Sequence, residues 1–150
     1  MTEAFNLAHL AESLNASVAG AVVQSDKMGL DIEPERLVDV CRFLKNAPEC
    51  DFDYLNSITA IDYKTHFEVI YRMVSTKYNH FAVLKTRLTN RDTPTTDSVF
   101  EIWRGADLQE REIFDLFGIS FRAHPELTRI FLWEGFPGYP LRKDWQERAV

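Results

Sequence analysis

Between Tyr54 and Leu88 the chain carries three runs that read as strands, and they restrict the fold more than any other feature. Phe67, Val69, Tyr71 and Met73 alternate with Glu68, Ile70 and Arg72, the two-residue period of a sheet with one buried face. Tyr54–Tyr63, rich in Ile, Thr and Tyr, precedes that run. Phe81–Leu88 comes after it, beyond a turn at Tyr78-Asn79. Three strands joined by tight turns imply an antiparallel sheet, and a sheet of this kind needs helices on one face.

The helices are legible on either side. Residues 5–14 read as a short helix, and 16–24 with 28–32 as a hairpin around Ser-Asp-Lys. Pro34 opens a second helix, with Glu33 and Glu35 near its positive end. Leu37, Cys41 and Leu44 form its apolar stripe, and Cys41 there reads as an inert core thiol. The 89–97 segment reads as a polar loop and 98–103 as a short strand. A third helix starts near Asp107 and ends at Gly118, a left-handed cap. The expected class is α+β: an antiparallel or mixed sheet with helices packed on it.

The chain changes character after residue 118. Eight of the 19 aromatic residues lie between Phe114 and Trp145, among Pro125, Pro137 and Pro140. The prolines forbid a long helix or a central strand. Residues 1–118 are therefore expected to form the body, and 119–150 an extended strap too irregular to bury itself, which either wraps its own domain or docks on another protein. Charge divides the same way: 12 Lys/Arg against 19 Asp/Glu in 1–118, and 5 against 4 in 119–150.

At residue steps of about 100° the third helix puts Leu116, Ile113, Phe117 and Phe114 on one arc, with Glu110 inside it. Arg111 and Asp115 fall together on the far side as an i,i+4 pair. An unpaired carboxylate at Glu110 would be costly. Two readings stand open: Glu110 closes a capping box with Asp107, or it pairs with Arg129 or Arg142 of the strap.

Chemistry is sparse. No phosphate-binding glycine loop or nucleophile elbow occurs. Two cysteines cannot supply an ordinary iron–sulfur cluster, and the four histidines lack zinc spacing. A net charge of −6 argues against gripping nucleic acid. No stretch is long and apolar enough for a membrane span, and the N-terminal residues resemble no targeting peptide. Glu110, Glu112, Asp115 and His124 are the one acid/base-looking group, but the three carboxylates point in different directions around the helix. His124 before Pro125 reads as a hydrogen-bonding brace for a turn. Trp103, Trp133 and Trp145 read as packing or interface anchors.

The runs EREIFDLFGISF (110–121), HPELTRI (124–130) and GYPLRKD (138–144) resemble the thirty-kilodalton subunit family of respiratory complex I, the C-type component of NADH–quinone oxidoreductase. Looser likeness extends upstream to AIDY (60–63), FEVIYRMVS (67–75) and SVFEIWRGAD (98–107), so that it covers roughly 50–145. Two departures stand out: Trp133-Glu134-Gly135-Phe136 replaces a PEDW-like run, and the chain ends soon after the RKD run, where many relatives continue.

The resemblance implies a non-catalytic subunit of the hydrophilic arm of a proton-pumping complex, peripheral at the cytoplasmic face of the cell membrane. It would bind no cofactor of its own; NADH or another donor, FMN, iron–sulfur clusters and quinone would sit on other subunits. Its partners would be the large D-type quinone-site subunit and the small B-type iron–sulfur subunit. The interface and structural residues implied are Glu110, Arg111, Glu112, Asp115, Gly118, His124, Pro125, Arg129, Trp133, Tyr139, Pro140, Leu141, Arg142, Lys143, Asp144 and Trp145. Removing 119–150 is expected to leave a folded body that no longer assembles. Alternatives are the same brace in a ferredoxin-, F420H2- or hydrogenase-linked complex, a small enzyme using the 110/112/115/124 group, or an adaptor without redox chemistry.

Overall fold

The computed structural model describes residues 2–147. Met1 and the last three residues of the strap, 148–150, lie outside the described residues. Strands β1 (Glu3–Ala4), β2 (Val22–Asp26), β3 (Gly29–Ile32), β4 (Tyr54–Asp62), β5 (Phe67–Ser75) and β6 (His80–Leu88) form one sheet, ordered β2-β3-β6-β5-β4, with β1 pairing β6. β4, β5 and β6 form an antiparallel meander, whereas β3 and β1 run parallel to β6. The sheet is mixed.

Alternation in β5 sets the layers. Phe67, Val69, Tyr71 and Met73 are all fully buried, and Arg72 between them is exposed. Helix α1 (Leu7–Ser17) contributes Leu10 and Leu14 to the same core; helix α2 (Leu37–Asn46) contributes Leu37, Val40, Cys41 and Leu44. Helix α1 begins two residues later than the sequence reading, because Asn6 accepts the N–H of His9 as its N-cap. A 3-10 turn, Pro34–Arg36, leads into α2. The Cys41 thiol is pushed far up by burial, as expected of an inert core cysteine, and Cys50 to about 11.

Two expectations fail between residues 89 and 103. The polar loop contains a strand, β7 (Thr95–Asp97), and 98–103 is a turn in place of the expected strand. Strand β7 pairs in parallel with β8 (Ser120–Arg122), the crossover between them being helix α3 (Ala106–Phe117). The physical reason is hydrogen bonding: the Glu110 carboxylate takes the N–H of Val99, and Trp103 donates its indole N–H to Phe52 O. Ile119 and Phe121 are buried in the core. The body therefore continues through β8, four residues into the segment read as strap.

Candidate functional site: a strap seated on the last helix

Helix α3 has two covered faces. One packs on the core through Ala106, Glu110 and Ile113; the other is covered by the returning strap. Asp115, expected on the wet side beside Arg111, is fully buried. Arg111 does not pair with it. Arg111 reaches the strap, donating to the carbonyl of Thr128 at 3.1 Å and to its hydroxyl at 2.8 Å. A helical wheel separates core from solvent, and it cannot register a later segment that lies down on the solvent side.

Asp115 is the hub of that face. Its Oδ2 accepts three consecutive backbone N–H groups, from Ile130 at 3.1 Å, Phe131 at 2.7 Å and Leu132 at 3.2 Å. Successive N–H groups curled around one anion form a nest, and here the anion is the protein's own carboxylate. Arg129 pairs with the other oxygen at 3.5 Å and donates to Gly138 O at 3.1 Å. A buried charge without such partners would cost several kcal/mol, on the order of 3–5.

A second anchor lies at the end of β4. Asp62, 3% exposed, receives both Nη groups of Arg91 at 2.6 and 3.1 Å and the backbone N–H of Lys143 at 2.9 Å. The Arg91 guanidinium, reinforced by the N–H groups of Lys143 and Lys64, holds that carboxyl far below the ordinary aspartate range. Asp144 approaches Arg91 at 3.5 Å from the strap side. Arg142 bridges the two anchors, donating to Phe117 O at 2.6 Å and Arg91 O at 3.2 Å.

Tyr139 lies between the two arginines. Arg129 and Arg142 each stand 5.1 Å from its ring centroid, and its ring presses on Gly118. Gly118 has φ +71, and a Cβ there would come within 2.5 Å of the Tyr139 ring. The left-handed cap expected at Gly118 is thus also a seat. Pro140 is half-buried, and Leu141 donates its N–H to Leu116 O at 3.1 Å with its side chain exposed. Trp145, half-buried, donates to Pro137 O at 3.0 Å.

Neither open reading of Glu110 holds. Gly105 is the N-cap of α3, neither Arg129 nor Arg142 pairs with Glu110, and the carboxylate accepts the Ser98 hydroxyl at 2.6 Å and Val99 N–H at 2.8 Å. Burial, opposed by those two hydrogen bonds, raises it to about 7. His124 braces the turn: its Nδ1 accepts Glu126 N–H at 3.0 Å, and its Nε2 lies 3.2 Å from the Asp107 carbonyl. Pro125 and Glu112 are exposed. The four acid/base-looking residues therefore face four different neighbourhoods. Among the described residues, no group of His, Cys, Asp and Glu is arranged to hold a metal.

Sequence reasoning missed Asp62 and Arg91 as site residues. The available signal was Asp62 itself, in step with Ile58 four residues earlier, which is buried from the same strand.

Over residues 30–149 the chain matches the family described as the respiratory-chain NADH dehydrogenase, 30 Kd subunit. It belongs to that family. The match begins at β3, well upstream of the 50–145 stretch that carries the motifs. The C subunit of NADH-quinone oxidoreductase from Roseiflexus castenholzii is 39% identical over 92% of this chain and 80% of its own length. The C/D subunit of NADH-quinone oxidoreductase from Phocaeicola vulgatus is 39% identical over 79% of this chain, which spans 22% of that longer protein. Other C-type relatives are spanned over 65% to 84% of their length.

The fold recurs in a chain of the membrane-bound sulfane sulfur reductase, an archaeal respiratory membrane complex, with TM-score 0.76 and 21% identity over 93% of this chain and 85% of the other. As a member of the NADH dehydrogenase family named above, the chain is a complex-I-type subunit, a part of a multi-subunit respiratory assembly. No helix among its described residues is long and apolar enough to cross a membrane.

Proposed function

We propose that this subunit is a non-catalytic brace in the hydrophilic arm of a proton-pumping NADH:quinone oxidoreductase. Its strap docks on the large D-type quinone-site subunit, close to the small B-type iron–sulfur subunit, at the cytoplasmic face of the membrane. NADH, FMN, iron–sulfur clusters and quinone belong to neighbouring chains. One observation carries the reading. The strap's backbone is held by two buried carboxylates, while Phe131, Trp133 and Leu141 stand 65%, 66% and 51% exposed. A rigid backbone presenting large apolar side chains to the outside loses little conformational entropy on binding, which suits an interface anchor. A relative named as a C/D subunit joins the two types in one polypeptide, which favours a D-type neighbour.

The names of the curated relatives favour NADH as the donor. The shared fold of a sulfane sulfur reductase chain fits the alternative, the same brace beneath a different electron input. Co-purifying flavin- and NADH-binding chains would separate the two.

The test is assembly. Phe131→Ala with Trp133→Ala removes exposed side chains and is expected to lower the subunit's own stability by about 0.5 kcal/mol for Phe131 and about 0.5–1.5 kcal/mol for Trp133, whose ring meets Phe136 edge-on at 4.6 Å. Binding to the D-type subunit is expected to weaken by about 2 kcal/mol or more, roughly thirtyfold. Mass spectrometry of solubilised membranes would show the variant missing from the complex; full incorporation would overturn the docking role.

A further inference from the structure

All three helices pack on one face of the sheet. Leu14 of α1, Cys41 of α2 and Ile113 of α3 share one core with Val69 and Tyr71 of β5. The alternate residues of β5 face the other way, and among them Ile70 is buried without belonging to that core. The ladder extends this second face. Val74 lies opposite Phe81 of β6 and Tyr54 of β4, Arg72 opposite Val83 and Ser57, and Ile70 opposite Lys85 and Thr59. The β2–β3 turn closes the far side, so near to β6 that a Cβ on Gly29 would meet Val83 O at 2.5 Å. Asp26 Oδ1 holds that turn by the N–H groups of Met28 at 2.7 Å and Gly29 at 3.1 Å, with the Met28 side chain exposed.

A sheet face left to water ordinarily carries polar residues. Here Ile70, Val74, Phe81, Val83, Tyr54 and Met28 surround a single uncompensated charge. Lys85 pairs with Asp26 at 2.9 Å and Asp31 at 3.3 Å, and Glu68 stands opposite Arg87 in the ladder. Arg72 alone has no ion pair, hydrogen bond or ring contact among the described residues of its own chain. Aromatic residues, Met and Arg are the types enriched where proteins meet.

We propose that this face is a second docking surface, occupied by an amphipathic helix of a neighbouring subunit whose apolar stripe carries an Asp or Glu set against Arg72. The carboxylate follows from charge: covering Arg72 with apolar groups alone would strand a cation away from water. The helix follows from backbone chemistry. A sheet offers free N–H and C=O groups only at its edges, so an element lying across the face must satisfy its own hydrogen bonds.

The size follows from spacing. From β4 to β3 is three strand intervals, roughly 14 Å, and Ile70 to Val74 spans about as much, giving an area on the order of 200 Å². That matches about nine residues of helix. It is far below the ~800 Å² per partner of a stable interface, so a second copy of this chain would not stay bound through it. A helix held close by the rest of an assembly needs no such area. The inference therefore rests on the subunit's place in an assembly, and the face lies across the sheet from α3 and its strap, so the helix is not the segment the strap meets.

The test uses the assembled complex. Phe81→p-benzoylphenylalanine keeps a ring on the face; irradiation of solubilised membranes and mass spectrometry then identify the peptide it captures. One segment of a neighbouring chain is expected, with apolar residues three and four apart and an Asp or Glu among them. Adding Arg72→Glu is expected to lower the crosslink yield at least about tenfold, and Arg72→Lys to lower it less. Both changes should leave the urea midpoint of the chain and the retention of the D-type subunit as they are. Capture of a second copy, capture of a segment without a carboxylate, or no capture in a complex that retains the D-type subunit would overturn the proposal. So would a yield indifferent to Arg72→Glu. Capture of the acidic helix in a preparation lacking the D-type subunit would sink the strap's docking role alone.

Discussion

The Asp115 carboxylate accepts the backbone N–H of Phe131 at 2.7 Å, so a residue buried on a helix fixes the backbone of one whose side chain stands 65% exposed. The N–H groups of Ile130 and Leu132 share the same oxygen. Asparagine at 115 keeps one acceptor and turns a donor toward either Arg129 or the nest. Leaving a buried donor unsatisfied costs about 1–3 kcal/mol. Asp115→Asn is therefore expected to lower stability by that amount in urea denaturation. Exchange protection should be lost at 130–132 and kept in β5.

Gly118 and Tyr139 should behave as a coupled pair. Alanine at 118 meets two penalties: the left-handed backbone, about 1–2 kcal/mol, and a Cβ within 2.5 Å of the Tyr139 ring. In a Tyr139→Ala background only the backbone penalty remains. A double-mutant cycle on urea midpoints is expected to show coupling of about 0.5–3 kcal/mol. Additive effects would mean that the ring does not rest on Gly118.

The sheet meander is legible in the sequence because Phe67, Val69, Tyr71 and Met73 keep a two-residue spacing through β5, and Gly118 because a glycine ending an amphipathic run has one common use. Strands β7 and β8 are not. Each is three residues long, and they pair across a helix, so no local periodicity marks them. The strap's cation is half legible. Arg129 does seek a carboxylate of α3, but it finds Asp115, since the strap crosses the side of the helix away from Glu110. Asp62 and Arg91 lie 29 residues apart and meet only once β4 and the loop after β6 are in place. Such a pair has no signature in a single sequence.

The acid limb of the stability curve should belong largely to Asp62. Its carboxyl is depressed in the folded state, first by the Arg91 hydrogen bonds. The unfolded chain then binds the proton more readily, so the pair stabilises fully above the ordinary value of 3.8 and loses its contribution as pH falls below that toward the folded value. Glu110 has the opposite sign: raised to about 7, it favours the fold below its ordinary 4.5 and loses that advantage as pH climbs to neutral. Urea midpoints measured from about pH 8 to about pH 3 are expected to fall at both ends. Asp62→Asn should flatten only the acid end.

Where the strap is cut decides whether a body remains. A chain ending at Gly118 loses Ile119 and Phe121, which are 0% and 2% exposed, together with the β7–β8 pairing. Truncating a buried Phe to Ala alone costs about 3–5 kcal/mol, against a total of about 5–15 for a domain of ordinary stability. Residues 1–118 are therefore expected to show no cooperative urea transition. A chain ending at Ala123 keeps both core side chains and opens Asp115 and Asp62 to water, where they need no partner. It is expected to unfold cooperatively at a lower midpoint than the full chain and to bind no D-type subunit. Cooperative unfolding of 1–118 would show that β8 and its two core residues contribute less than their burial implies.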